Sequence, residues 1–131
     1  MAQLQFFPPS FPIGIGCHSN VLAHPMVEEE LKAFYEQRPD WVGCLCAAYR
    51  QRLLFLSEHI GQETKHRQWF EMLKDAKPYR SMRFNHVKLV DNLRIIYCVK
   101  DDKAYLLVAF KEKKKSDYDA AIELAKKRIP F

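Results

Sequence analysis

Between Tyr79 and Arg128 the chain strings three strand-like segments together with links too short for anything but antiparallel returns. Arg83 to Val90 alternates, with Phe84, His86, Lys88 and Val90 on one side and Asn85, Val87 and Leu89 on the other. Asp91-Asn92 is a turn signal, and Leu93 to Val99 is rich enough in β-branched and aromatic residues for a central strand. Asp101-Asp102-Lys103 then turns the chain into a third segment, Ala104 to Phe110. A parallel crossover needs roughly a dozen residues or more, so the order predicted is an antiparallel meander. Behind it, Lys111-Glu112-Lys113-Lys114-Lys115 leads into a predicted helix. Ser116 and Asp119 have capping-box spacing, Tyr118, Ala121, Ile122 and Ala125 form an apolar stripe, and Pro130 ends the helix. Lys126-Lys127-Arg128 suits its negative end.

The chain has 131 residues and 48% hydrophobic content, which fits a single domain over 1–131 with an ample core. Its charge of +5 is uneven. From Tyr79 onward there are 13 Lys/Arg against 7 Asp/Glu, and before it 8 against 9. The basic excess thus belongs to the 79–131 sheet-and-helix part, the footprint of a surface that meets a polyanion or simply of a solvated face. Cys17, Cys44, Cys46 and Cys98 do not form a disulfide framework, so a reducing cytoplasm is the expected location. Gly14-Ile15-Gly16-Cys17 vaguely suggests a lipoprotein cleavage site, but the preceding segment lacks positive charge and is broken by Pro8, Pro9 and Pro12. No run approaches the roughly 18 apolar residues of a membrane span, so no membrane partner is expected.

Residues 1–23 form an ill-defined N-terminal segment, with Leu4 to Phe7 as a candidate edge strand. Residues 24–77 read as helical. Pro25 starts a helix with Glu28-Glu29-Glu30 in its first turn and Val27, Leu31, Phe34 and Tyr35 on its buried stripe. Asp40 can cap a second helix reaching about Ile60, and a third is expected from Glu63 to Lys74. The fold class predicted is α+β: an antiparallel sheet, helices from the N-terminal half on one face, and a C-terminal helix flanking it.

The last fifty or so residues resemble the RelE/HigB family, toxins of type II toxin–antitoxin pairs that act as ribosome-dependent mRNA interferases. Leu93 to Val99 with Asp101-Asp102-Lys103 is similar to that family's arginine-led central strand and acidic turn. Leu106 to Lys114 resembles the HigB-like "LLHGFKKK" stretch, and Ile122 to Arg128 the "EIELAKKR" helix after it. The resemblance implies a metal-independent endoribonuclease with no cofactor. The ribose 2′-hydroxyl attacks the adjacent phosphate and leaves a 2′,3′-cyclic phosphate. Such a reaction needs a base, positive charge for the phosphorane and an acid for the leaving oxygen. Arg94 matches the phosphate-clamping arginine, Lys88 a strand lysine serving as base or phosphate ligand, and His86 an alternative proton carrier. Lys113 and Lys114 fall near the family's basic residue after the last strand, and Tyr118 near a C-terminal tyrosine used for stacking or proton transfer. Arg80, Arg83, Lys111 and Lys115 are candidate RNA contacts. The implied partners are a cognate antitoxin, mRNA and the ribosome.

Each residue also has a plainer reading. Arg94 suits an exposed strand end, His86 a core or surface histidine, and Tyr118 a packing position in its helix stripe. Cys44 and Cys46, with Cys17, His18 and His24, have poor zinc spacing. Two rival functions share the fold: a ParE-like gyrase inhibitor that cuts no RNA, and a non-catalytic interaction or phage accessory protein.

Overall fold

The computed structural model describes residues 6, 7, 9, 19–37, 39–87, 90 and 92–131. Strand Val21–Ala23 (β1) precedes helices Pro25–Gln37 (α1) and Trp41–Glu58 (α2). Short 3-10 turns at Glu63–Lys65 and Lys74–Ala76 flank strand Phe70–Met72 (β2). Strands Arg80–Arg83 (β3), Leu93–Lys100 (β4) and Lys103–Lys111 (β5) follow, and helix Lys115–Arg128 (α3) comes last. The sheet order is β1-β5-β4-β3-β2.

The α+β class and the β3-β4-β5 meander are as expected, and the β4–β5 link is tight because Asp101 and Asp102 both adopt left-handed backbone (φ 54° and 63°). Aspartate tolerates that region better than a branched residue would. Strand β4 alternates cleanly. Leu93, Ile95 and Tyr97 pack with Leu31, Leu45, Leu53 and Leu56 of α1 and α2, whereas Ile96 and Cys98 pack with Ala121 and Ala125 of α3. Helices therefore cover both faces, which is why Ile95 to Val99 of β4 reads as an unbroken apolar run. A register shift at Ile96/Tyr97 adds one residue to β5, so Leu107 and Val108 both join the α3 side. Arg128 fastens the end of α3, donating to the Leu107 carbonyl (2.9 Å) and to Glu30 of α1 (3.0 Å).

Five expectations are corrected. The sheet is mixed, because β1 runs parallel to β5 at its edge. The long intervening chain leaves room for that direction. The first sheet strand is Val21–Ala23; Phe7 makes only a single bridge to Ala23, and Leu4 and Gln5 lie outside the described residues. Glu63 to Lys74 is not a helix: Phe70–Met72 pairs with β3, burying Phe70, and this pairing overrides the helix-like spacing. The alternating stretch ends as a strand at Arg83, which stands opposite Arg94 near the start of β4, so later residues have little of that strand left to pair with. Phe84 to Val87 forms a turn with His86 at φ 65°. Finally, α3 starts at Lys115 and its N-terminal carboxylate is Asp117, not Asp119. Asp117 accepts the backbone N–H groups of Lys113 (2.7 Å) and Lys114 (3.0 Å), two donors that the Ser116 spacing would have left open.

Candidate functional site

The register of β3 on β4 sets Arg83 directly opposite Arg94. Arg83 gives its own backbone N–H to Trp69 on the β2 side (2.7 Å), so the arginine pair is of the non-hydrogen-bonded type. Such pairs bring Cα atoms to about 4.5 Å and side chains closest together. Both side chains lie on the α3 face, because their neighbours Met82 and Ile95 belong to the opposite core. Two like charges so placed repel. Each has been given a carboxylate: Glu71 lies 2.9 Å from Arg83 Nη2, and Glu112 3.7 Å from Arg94 Nη2. Arg94 also donates to the Leu93 carbonyl (2.8 Å), and Arg83 to that of Arg67 (3.2 Å). The buried Nε–H of Arg83 meets no acceptor among the described residues.

Tyr118, in the first turn of α3, borders this pair. Its hydroxyl shares a hydrogen bond with Ser81 (2.9 Å), and its ring meets Phe110, the register partner of Arg94, edge-on at 5.0 Å. Burial raises the phenol above its ordinary range, opposed by the Ser81 bond and by Arg94. At neutral pH it is therefore a proton donor, not a base. Lys113, Lys114 and Lys115 are exposed around the helix start. The bonds from Lys113 and Lys114, strengthened by the nearby lysine charges, hold the Asp117 carboxyl below its usual range. A groove of about 470 Å³ runs beside Tyr118, bordered by Glu71, Leu73, Lys115 and Ile122.

Other candidates fall elsewhere. Arg80 points to the opposite face and pairs with buried Glu63. Lys111 borders a separate groove with Glu30 and Asp117. His86 is exposed on the loop after β3; Lys88, Cys17 and His18 lie outside the described residues. With His86 in a turn, the shared strand face expected for His86 and Lys88 is absent. Cys44 and Cys46 are half-buried free thiols, and no group of three or more His, Cys, Asp or Glu comes together among the described residues.

Sequence reasoning missed Glu71, Glu112 and Arg52. Arg52 of α2 lies 4.6 Å from the Trp69 ring centre and 5.0 Å from that of Phe84, and donates to the carbonyl of Arg83 (2.6 Å). Burial pushes its guanidinium down to about 10, so it remains charged at neutral pH. An arginine within the apolar stripe of α2 was the available signal.

These features define an α+β domain whose mixed sheet carries a cross-strand arginine pair near a lysine-rich helix start. The chain belongs to the family described as Phage derived protein Gp49-like (DUF891), whose model matches residues 40–130, most of the chain. That family is associated with toxin–antitoxin pairs. No curated protein and no solved structure matches the chain. No helix among the described residues is long and apolar enough to cross a membrane.

Proposed function

We propose that this protein is the toxin of a toxin–antitoxin pair and an endoribonuclease that cuts mRNA on the translating ribosome, as RelE/HigB-like enzymes do. The observation behind this reading is that Arg83, Arg94 and Tyr118 share one face of the sheet, where Lys113 to Lys115 begin the adjoining helix. Arg94, with Arg83 beside it, holds the phosphate and meets the charge of the phosphorane. Tyr118 gives its proton to the leaving 5′-oxygen, and Lys113 and Lys114 supply further positive charge. His86, on the loop after β3, or Lys88 takes the proton of the 2′-hydroxyl. Lys111 and Lys115 steer the polyanion, so activity falls as salt rises. The antitoxin partner shields this basic face with an acidic or amphipathic segment.

The test is in vitro translation with purified protein, mapping mRNA ends by primer extension. Cleavage at A-site codons is expected, reduced about 10²–10³-fold in Arg94→Ala, the cost typical of removing a charge-stabilising donor. Intact mRNA with unimpaired translation sinks the nuclease reading. One observation favours a second reading. The Arg94 side chain is only 10% exposed and already paired, which suits a structural arginine in a protein that acts on gyrase or another partner without cutting RNA. A gyrase supercoiling assay separates the two, since inhibition by both wild type and Arg94→Ala supports the second.

A further inference from the structure

We infer that Glu71 and Glu112 are exchangeable counter-ions occupying the phosphodiester site of the free protein, so that RNA enters by displacing them from Arg83 and Arg94. This rests on the reading that the arginine pair takes an RNA phosphate. The non-hydrogen-bonded pairing sets the two arginines directly opposite each other on one face, and like charges so placed are stabilised by anionic charge whether or not a ligand is present. Glu71 and Glu112 supply it, but loosely. Their side chains are 42% and 29% exposed, and the Glu112 contact at 3.7 Å is beyond hydrogen-bond reach. A carboxylate so placed can swing into water at little cost.

A phosphodiester offers what the two carboxylates do not. It is a single anion whose two non-bridging oxygens can serve both cross-strand arginines at once. Glu71 also borders the groove beside Tyr118 and Lys115, so its departure opens a path for the adjoining nucleotide. The two glutamates would then set the affinity threshold. A weakly held anion fails to compete with them, while a polyanion anchored by Lys113 to Lys115 succeeds.

The test is fluorescence anisotropy with a labelled single-stranded oligoribonucleotide at fixed ionic strength, without ribosomes. Glu71→Gln and Glu112→Gln are near-isosteric and are each expected to tighten binding about two- to fivefold, the range of a partly exposed ion pair. Glu123→Gln removes one charge from an exposed residue paired with Lys126 and controls for net charge alone. It should leave affinity within about 1.5-fold, since an exposed charge paired with Lys126 and not with either arginine is largely screened. Should one glutamine variant fold poorly, judged by its urea midpoint, the other decides alone. Glutamine variants that bind no tighter than Glu123→Gln overturn the inference, as does a wild type without measurable RNA affinity. Tightened binding without cleavage on ribosomes sinks the nuclease reading and leaves this inference standing; cleavage without tightening does the reverse.

Discussion

Arginine–glutamate pairs lie on both faces of the sheet, one on the α1/α2 side and two on the α3 side, and they differ in burial and donor count. On the α1/α2 face, Glu63 is 0% exposed. It accepts the Tyr97 hydroxyl (2.7 Å) and the Gly61 N–H (2.8 Å) and pairs with Arg80. Burial and the Glu63 charge push the Tyr97 hydroxyl well above its ordinary range, fixing it as a donor. On the α3 face, Glu71 and Glu112 are solvated and each serves mainly one arginine. The difference teaches that an ion pair becomes structural when its carboxylate is enclosed and has enough donors to offset its desolvation. With one donor and water nearby, the same residue types make a site that a ligand can take over.

The sharpest way to break this comparison is Glu63→Ala against Glu112→Ala. Removing Glu63 strands Arg80, Tyr97 and the Gly61 amide in the core, and a loss of about 3–5 kcal/mol is expected. Removing Glu112 should cost within ~1 kcal/mol. Urea unfolding of both variants checks the pair, and equal losses would erase the distinction. Arg52→Met comes next. It leaves the Arg83 carbonyl without its 2.6 Å donor, with an expected loss of about 1–3 kcal/mol. Because Arg83 belongs to the ligand face, RNA affinity by anisotropy should fall as well. Unchanged affinity would show that Arg52 only fills space between the Trp69 and Phe84 rings.

What the sequence disclosed follows the same division. Strands β4 and β5 and helices α1 to α3 were legible because each announces itself through its own apolar spacing and turn residues, such as Asp101-Asp102. Strand β2 was not, since three residues, Phe70 to Met72, carry too short a pattern to outweigh a helical reading. Arg80 and Arg83 could have been separated from sequence alone, because an offset of three on a strand places residues on opposite faces. Arg94, Lys113, Lys114 and Tyr118 were found as candidates, whereas their carboxylate neighbours were not. Glu71 and Glu112 acquire their roles only from the register of β2, β3 and β5 against β4, which no local pattern encodes. His86 was misplaced on a strand face for the converse reason. Its alternating neighbours look like a strand, but little of β4 is left to pair with them.

Tyr118→Phe should have a smaller effect on stability, about 1 kcal/mol, by leaving the buried Ser81 hydroxyl without its partner. Its value lies in the split between cleavage and binding. A proton donor predicts cleavage down more than roughly tenfold with RNA affinity unchanged. Parallel losses in both would make Tyr118 a positioning residue for the arginine pair.

The smallest expected effect tests whether the buried networks, and not the ligand face, sense acid. His24 is 5% exposed, and its Nδ1 accepts the Met26 N–H (3.0 Å) at the start of α1. Burial, aided by the Arg128 charge, lowers its pKa from the usual 6.5. The folded protein therefore binds fewer protons at this site than the unfolded chain once pH drops below about 6.5. Stability from this residue is fully present above that pH and is lost as pH falls through the window down to the lowered folded value. Asparagine at position 24 keeps a short side-chain acceptor at the helix start but has nothing to protonate. Urea midpoints at pH 7.5 and 5.5 should thus fall further in the wild type than in His24→Asn. An identical fall in both would assign the acid sensitivity to groups other than His24.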